Sequence, residues 1–142
     1  VSLPFKHQAT CVAIEGRAVL IEGPPGSGKS SLALALIDRG AVLVGDDGVT
    51  LEPDGTRLLA SPVPATAGLL EVRGLGLVPM PATAAVPVAL VIVLDAAAPR
   101  FIEAAEAAGR CDVTLPLVRL WPGSPVLALR AELALRTYGL AI

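Results

Sequence analysis

Three features of the sequence predict an α/β fold, a mixed sheet flanked by helices and built around a phosphate-loop nucleotide-binding core. The first is the run Gly23 to Ser30, which fits Gly-x-x-x-x-Gly-Lys-Ser. It lies between an apolar run, Ala18 to Ile21, and a segment, Ser31 to Arg39, with Leu32, Ala33, Leu36 and Ile37 at helical spacing. The second is the unbroken apolar run Val88 to Leu94 closing on Asp95, which reads as a fully buried strand. The third is composition: 54% of residues are hydrophobic but only 3% are aromatic, so Val, Leu, Ile and Ala must fill the core. That mixture suits strands covered by Ala-rich helices.

Each element has a local reason. Thr10 to Ile14 and Arg17 to Ile21 flank Glu15-Gly16, a two-residue hairpin turn. Pairing Ile14 with Arg17 sets Thr10 opposite Ile21 and, if the ladder continues, carries His7 to Pro24 at the mouth of the glycine-rich loop. Gly40 is the expected residue just past the first helix, and Ala41 to Val44 the next strand, leading into Gly45-Asp46-Asp47-Gly48. Val49 to Leu51 and Arg57 to Ala60 form a second hairpin around Pro53-Asp54-Gly55. Pro62 and Pro64 punctuate a connection, and Gly68 to Val78 alternates apolar and charged residues. Pro79 to Pro87 reads as an irregular crossing, Ala98 or Pro99 to Ala108 as a short helix, and Val113 to Leu120 as an edge strand broken by Pro116. Ser124-Pro125 then caps and opens a last helix, Val126 to Tyr138.

The chain has 142 residues, which predicts one domain spanning 1–142. A net charge of -2, with 11 basic and 13 acidic residues dispersed along the chain, gives no electrostatic reason to expect nucleic acid. The longest apolar stretch, Ala84 to Leu94, contains Pro87 and is too short to span a bilayer, and no leader pattern is evident, so a cytoplasmic protein without membrane contact is expected. Cys11 and Cys111 have no metal-ligand spacing and read as ordinary reduced residues.

The chemistry concentrates around the loop. Gly23, Pro24, Pro25, Gly26, Ser27, Gly28, Lys29, Ser30 and Ser31 are the expected phosphate cradle. Backbone N–H groups face the phosphates, Lys29 reaches the outer ones, and Ser30 offers its hydroxyl to magnesium. Ser31 is equally well explained as a plain helix-start serine. Asp46 and Asp47 follow a sheet strand, where ligands of open α/β sheets collect, so one can meet an attacking group while the other holds magnesium; an acidic turn is the alternative. Asp95 is a second magnesium candidate or a turn carboxylate. His7, the only histidine, orients Asp46 by hydrogen bonding, acts on a proton in transfer, or is an ordinary surface or boundary residue. Glu71 and Arg73 share one side if their run is a strand, giving a metal contact and a phosphate contact or a plain charge pattern.

His7, Gly23 to Ser30, Asp46-Asp47 and Leu70-Glu-Val-Arg-Gly-Leu-Gly-Leu77, in that order, resemble the catalytic domain of the HPr serine kinase/phosphorylase family over His7 to Tyr138. The resemblance implies a core like that of phosphoenolpyruvate carboxykinase, ATP and Mg2+ as cofactors, an HPr-type phosphocarrier protein as partner, and a homo-oligomer, commonly a hexamer. It also implies that Asp46 is the principal proton-transfer residue, with His7, Lys29 and Arg73 beside it in catalysis and with Ser30, Asp47 and Glu71 at the metal. The implied activity is phosphorylation of a serine and the reverse-type phosphorolysis. The sequence departs from the family pattern at Pro25 and Ser31, and Pro116-Leu-Val-Arg119 with Gly123-Ser124 only loosely echoes a basic motif of the family. A nucleotide-binding regulatory or scaffold protein, or a small-molecule kinase, would share the same loop.

Overall fold

The computed structural model describes residues 4–142; the first three residues of the expected 1–142 domain lie outside the described residues. A short strand, β1 (Phe5–His7), precedes the hairpin β2 (Thr10–Ile14) and β3 (Arg17–Glu22). The glycine-rich loop joins β3 to α1 (Lys29–Asp38), which is followed by β4 (Val42–Gly45) and the hairpin β5 (Val49–Asp54) and β6 (Arg57–Pro62). A single 3-10 turn, Pro64–Thr66, leads to a small hairpin, β7 (Leu69–Val72) and β8 (Gly76–Pro79). The long β9 (Val86–Leu94), the hairpin β10 (Glu106–Arg110) and β11 (Val113–Leu120), and α2 (Leu127–Tyr138) complete the chain.

β9 is the hub of a nine-stranded mixed sheet. Its first residues, Val86 and Pro87, pair antiparallel with Ala60 and Leu59 of β6, while Val88 onward runs parallel to β3. From Val91 to Leu94 it also runs parallel to β11. The sheet order β1-β5-β6-β9-β3-β2-β4 therefore carries two faces. Strand alternation sorts β3 between them: Val19 and Ile21 join Leu32, Leu36 and Leu135 in a core beneath the helices, and Ala18 and Leu20 join Leu51, Leu58 and Leu115 in a core between strands. The largest fully buried side chains are all Leu or Ile, as the aromatic-poor composition requires, while Phe5, Phe101 and Trp121 are exposed.

The β2–β3 register has the expected pairs Ile14 with Arg17 and Thr10 with Ile21. The end of α1 is a Schellman closure, with Gly40 N–H donating to Ile37 O and Ala41 N–H to Leu36 O. Gly40 takes the left-handed φ of 110° that this closure demands.

Other expectations need correction. The Ala98 or Pro99 to Ala108 segment is not a helix: after an irregular stretch, Glu106 to Arg110 pair with β11, so tertiary pairing overrides alanine's helical preference. β11 is neither an edge strand nor broken at Pro116, because β10 covers one side, where Pro116 pairs with Ala107, and β9 takes Leu117 onward. The β5–β6 turn falls at Gly55-Thr56, since Pro53 and Asp54 still pair with Leu58 and Arg57. Ser124 is not the residue immediately before α2, although its Oγ accepts the Val126 N–H at 3.2 Å.

Candidate functional site

The loop after β3 turns on glycine. Gly26 and Gly28 have φ of 79° and 99°, conformations open to them without a Cβ penalty, and Gly28 precedes α1 with no side chain capping the helix. The first amides of α1 are thus left to an external acceptor, and no acidic residue occupies the first turn to repel an anion. Lys29 Nζ folds back and donates to Gly23 O at 2.9 Å and Pro24 O at 3.3 Å. Ser27 Oγ is buried without a hydrogen-bond partner among the described residues.

The carboxylate of Asp46 is the organising acceptor beneath this loop. Its Oδ1 takes Ser30 Oγ at 2.7 Å and Thr10 Oγ1 at 2.9 Å, and its Oδ2 takes the Glu71 N–H at 2.8 Å. Thr10 in turn accepts the Asp47 N–H at 3.4 Å. Three elements, β2, α1 and β7, therefore converge on one buried carboxylate carried by the turn after β4. Such satisfaction is what a buried charge requires.

Above it opens a cleft of about 570 Å³. Lys29, Ser30, Asp47, Glu71 and Arg73 line it, together with Pro25, Gly26 and Gly28 of the loop and Ser31 of α1. Gly23, Pro24, Ser27 and Asp46 do not line it, and Asp46 sits behind three lining residues that donate to it, Ser30, Thr10 and Glu71. Glu71 is on β7, whereas Arg73 is in the turn beyond it, so the strand alternation expected to align the two does not apply. Asp47 is exposed with a left-handed φ of 58°, which turns it away from the buried position of its neighbour.

His7 departs from its expected place. The ladder with β3 ends at Thr10, and β1 pairs instead with β5, setting His7 opposite Val49. The ring meets Glu22, not Asp46: Nε2 and Oε2 are 2.7 Å apart. Glu22 also accepts a two-pronged contact from Arg110, Nη2 to Oε1 at 2.7 Å and Nε to Oε2 at 3.1 Å. Burial would raise the Glu22 carboxyl, but the His7 and Arg110 hydrogen bonds outweigh it and hold the group down at about 2. Asp95 is a turn carboxylate here, with Oδ1 accepting the Ala97 N–H at 2.8 Å and Oδ2 lying 3.5 Å from Arg119 Nη1. Arg119 is further held by Glu106 at 2.8 Å.

The sequence alone does not single out Thr10, Glu22 or Arg110. Thr10 left one signal, a lone hydroxyl in an apolar strand opposite Ile21. The Glu22–Arg110 contact spans 88 residues and left none.

The family model of the HPr Serine kinase C-terminal domain matches residues 3–84, more than half of the chain. The chain belongs to the HPr serine kinase C-terminal domain family. Among similar proteins is the HPr kinase/phosphorylase of Clostridium tetani, 46% identical over 70 residues, which cover 49% of this chain and 23% of that protein. The HPr kinase/phosphorylase of Mycoplasmopsis pulmonis is 42% identical over 69 residues, 49% of this chain and 22% of that protein. The aligned part thus spans less than a quarter of these relatives. The structure of the Hpr(Ser) kinase/phosphatase from Coxiella burnetii superposes with a TM-score of 0.82 at 27% identity, covering 93% of this chain and 88% of that one. The matched 3–84 segment of this HPr serine kinase C-terminal domain includes the loop, Asp46, Asp47 and the β7–β8 hairpin. No helix among the described residues is long and apolar enough to cross a membrane.

Proposed function

We propose that this chain is a single catalytic domain that uses ATP and magnesium to phosphorylate a serine of an HPr-type phosphocarrier protein. The observation that carries the reading is the 2.7 Å bond between Ser30 Oγ and Asp46 Oδ1. It places a hydroxyl of the phosphate loop and a buried carboxylate together under a cleft that Lys29 also lines. In this reading the loop amides and Lys29 hold the ATP phosphates.

The donor set suits magnesium. The Ser30 hydroxyl and the Asp47 and Glu71 carboxylates are hard oxygen donors on one cleft. Bound there, the cation would neutralise charge on the transferring phosphoryl group. Ser30, by turning its hydroxyl toward the cleft, frees a lone pair on Asp46 Oδ1 for the acceptor's proton. The seryl oxygen then forms its bond to the γ-phosphorus as the bond to ADP breaks, with Arg73 aligning the phosphate. Run in reverse with inorganic phosphate as attacking group, the same residues return the proton to serine and release pyrophosphate. Family resemblance supports a homo-oligomer, a hexamer in the commonest form, and a cytoplasmic setting.

Incubation with ATP, magnesium and an HPr-type protein, followed by mass detection of the acceptor, tests the reading. Phosphoserine is expected, with loss of the phosphate when inorganic phosphate is added after ATP is removed. Saturable ATP binding with an unmodified acceptor would instead mark a nucleotide-binding module without phosphotransfer.

A further inference from the structure

Glu22 ends β3 directly before Gly23, and its side chain follows the Ala18, Leu20 alternation onto the face opposite α1. There it is gripped by residues from two other strands, His7 of β1 and Arg110 of β10. The cluster is mostly shielded, with side-chain exposures of 28% for His7, 16% for Glu22 and 22% for Arg110. None of the three lines the phosphate cleft, so phosphate recognition does not account for them.

The geometry is specific. The Arg110 guanidinium engages both Glu22 oxygens and fixes the carboxylate plane, a pre-organised fork that a lysine could not supply. An ionised carboxylate only accepts hydrogen bonds, so the 2.7 Å contact requires a hydrogen on His7 Nε2. In the neutral ring Nδ1 is then the acceptor, the arrangement by which a carboxylate fixes an imidazole for proton handling. The residue after Glu22 is Gly23, whose carbonyl accepts Lys29 Nζ at 2.9 Å. Holding Glu22 therefore holds both the single imidazole and the strand end from which the lysine-bearing loop departs.

We propose that Glu22, locked by Arg110, is a positioning residue that keeps His7 in one tautomer and one orientation at the entry of the phosphate loop. Its kinetic consequence rests on the kinase reading; the tautomer does not.

The chain has one histidine, so nitrogen NMR of the labelled protein reports a single imidazole. In its neutral form the wild-type ring is expected to be the Nε2-protonated tautomer, with slowed Nε2–H exchange. Glu22→Gln, confirmed folded by circular dichroism, is expected to give mixed tautomers with fast exchange. Its kcat for acceptor phosphorylation should fall roughly tenfold to a hundredfold, with KM for ATP changed less than about twofold. Arg110→Gln, which leaves the His7–Glu22 bond in place but unbraced, should keep the tautomer and speed the exchange. A neutral wild-type ring that is a tautomer mixture or carries its hydrogen on Nδ1 alone would overturn the proposal whether or not either variant folds. So would unchanged kcat in folded Glu22→Gln. Wild-type protein that transfers no phosphate would overturn the kinase reading, and the tautomer readout would then decide the positioning role alone.

Discussion

Ser30 Oγ and Asp46 Oδ1 lie 2.7 Å apart, and this bond ties the first turn of α1 to the turn that follows β4. Asp46 holds three donors with two oxygens, and Asp46→Asn leaves only one oxygen for Ser30, Thr10 and the Glu71 N–H. One donor then faces an amide NH2, at a cost of about 1–3 kcal/mol in stability. Loss of the charge and of the proton acceptor should reduce transfer by on the order of 10²–10³. Labelled γ-phosphate transfer measured beside an ATP titration is expected to show a larger loss in rate than in affinity. Normal transfer would remove Asp46 from the proton-transfer role.

Ser30→Ala separates the phosphate cradle from the cation. The loop amides and Lys29 remain, so nucleotide binding without magnesium should change little, whereas the magnesium concentration for half-maximal transfer should rise on the order of tenfold or more. Titrating magnesium at fixed ATP checks this. An unchanged magnesium requirement would show that the Ser30 hydroxyl serves Asp46 alone.

How much of this site the sequence revealed depends on the range of the contacts. The β2–β3 register is legible because a two-residue turn and a period of two leave one solution, and the loop and Asp46 are legible because each directly follows a strand. Extending that ladder past Thr10 misplaces His7, because the chain there changes partner from β3 to β5. Arg110 was hidden because Glu103 to Ala108 has helical composition, yet the chain supplies β11 as a partner and Glu106 to Arg110 pair with it. Local preference can place a loop on a strand end, but it cannot name a partner chosen by sheet pairing far along the chain.

Gly45 tests how closely the Asp46 turn is packed. A Cβ at this position would stand 2.6 Å from Gly48 O and 2.7 Å from Val49 Cγ1, so Gly45→Ala must move backbone next to Asp46. A stability loss of about 1–3 kcal/mol is expected, with reduced transfer because the Ser30 bond shifts. Gly109→Ala is the matched control: nothing lies within 4 Å of its added Cβ, and a change within about 0.5 kcal/mol is expected. Urea unfolding of both variants gives the comparison. Equal stability of the two would mean that the turn relaxes freely around the added methyl.

The Glu22 cluster predicts a definite acid limit. Its carboxyl is held at about 2 against an ordinary 4.5, because the His7 and Arg110 hydrogen bonds overcome the burial that opposes ionisation. A depressed carboxyl contributes stability that is complete above the unfolded value and is lost as pH falls through the folded one, so this contribution is present above 4.5 and fades toward 2. The difference corresponds to an upper bound on the order of 3 kcal/mol for the carboxylate. Glu22→Gln should therefore be less stable than wild type at pH 6 by no more than this bound, and the gap should close as the pH approaches 2. Urea midpoints of both proteins across that range check the sign. A gap that stays constant down to pH 2 would show that the variant loses packing rather than the charge held between His7 and Arg110.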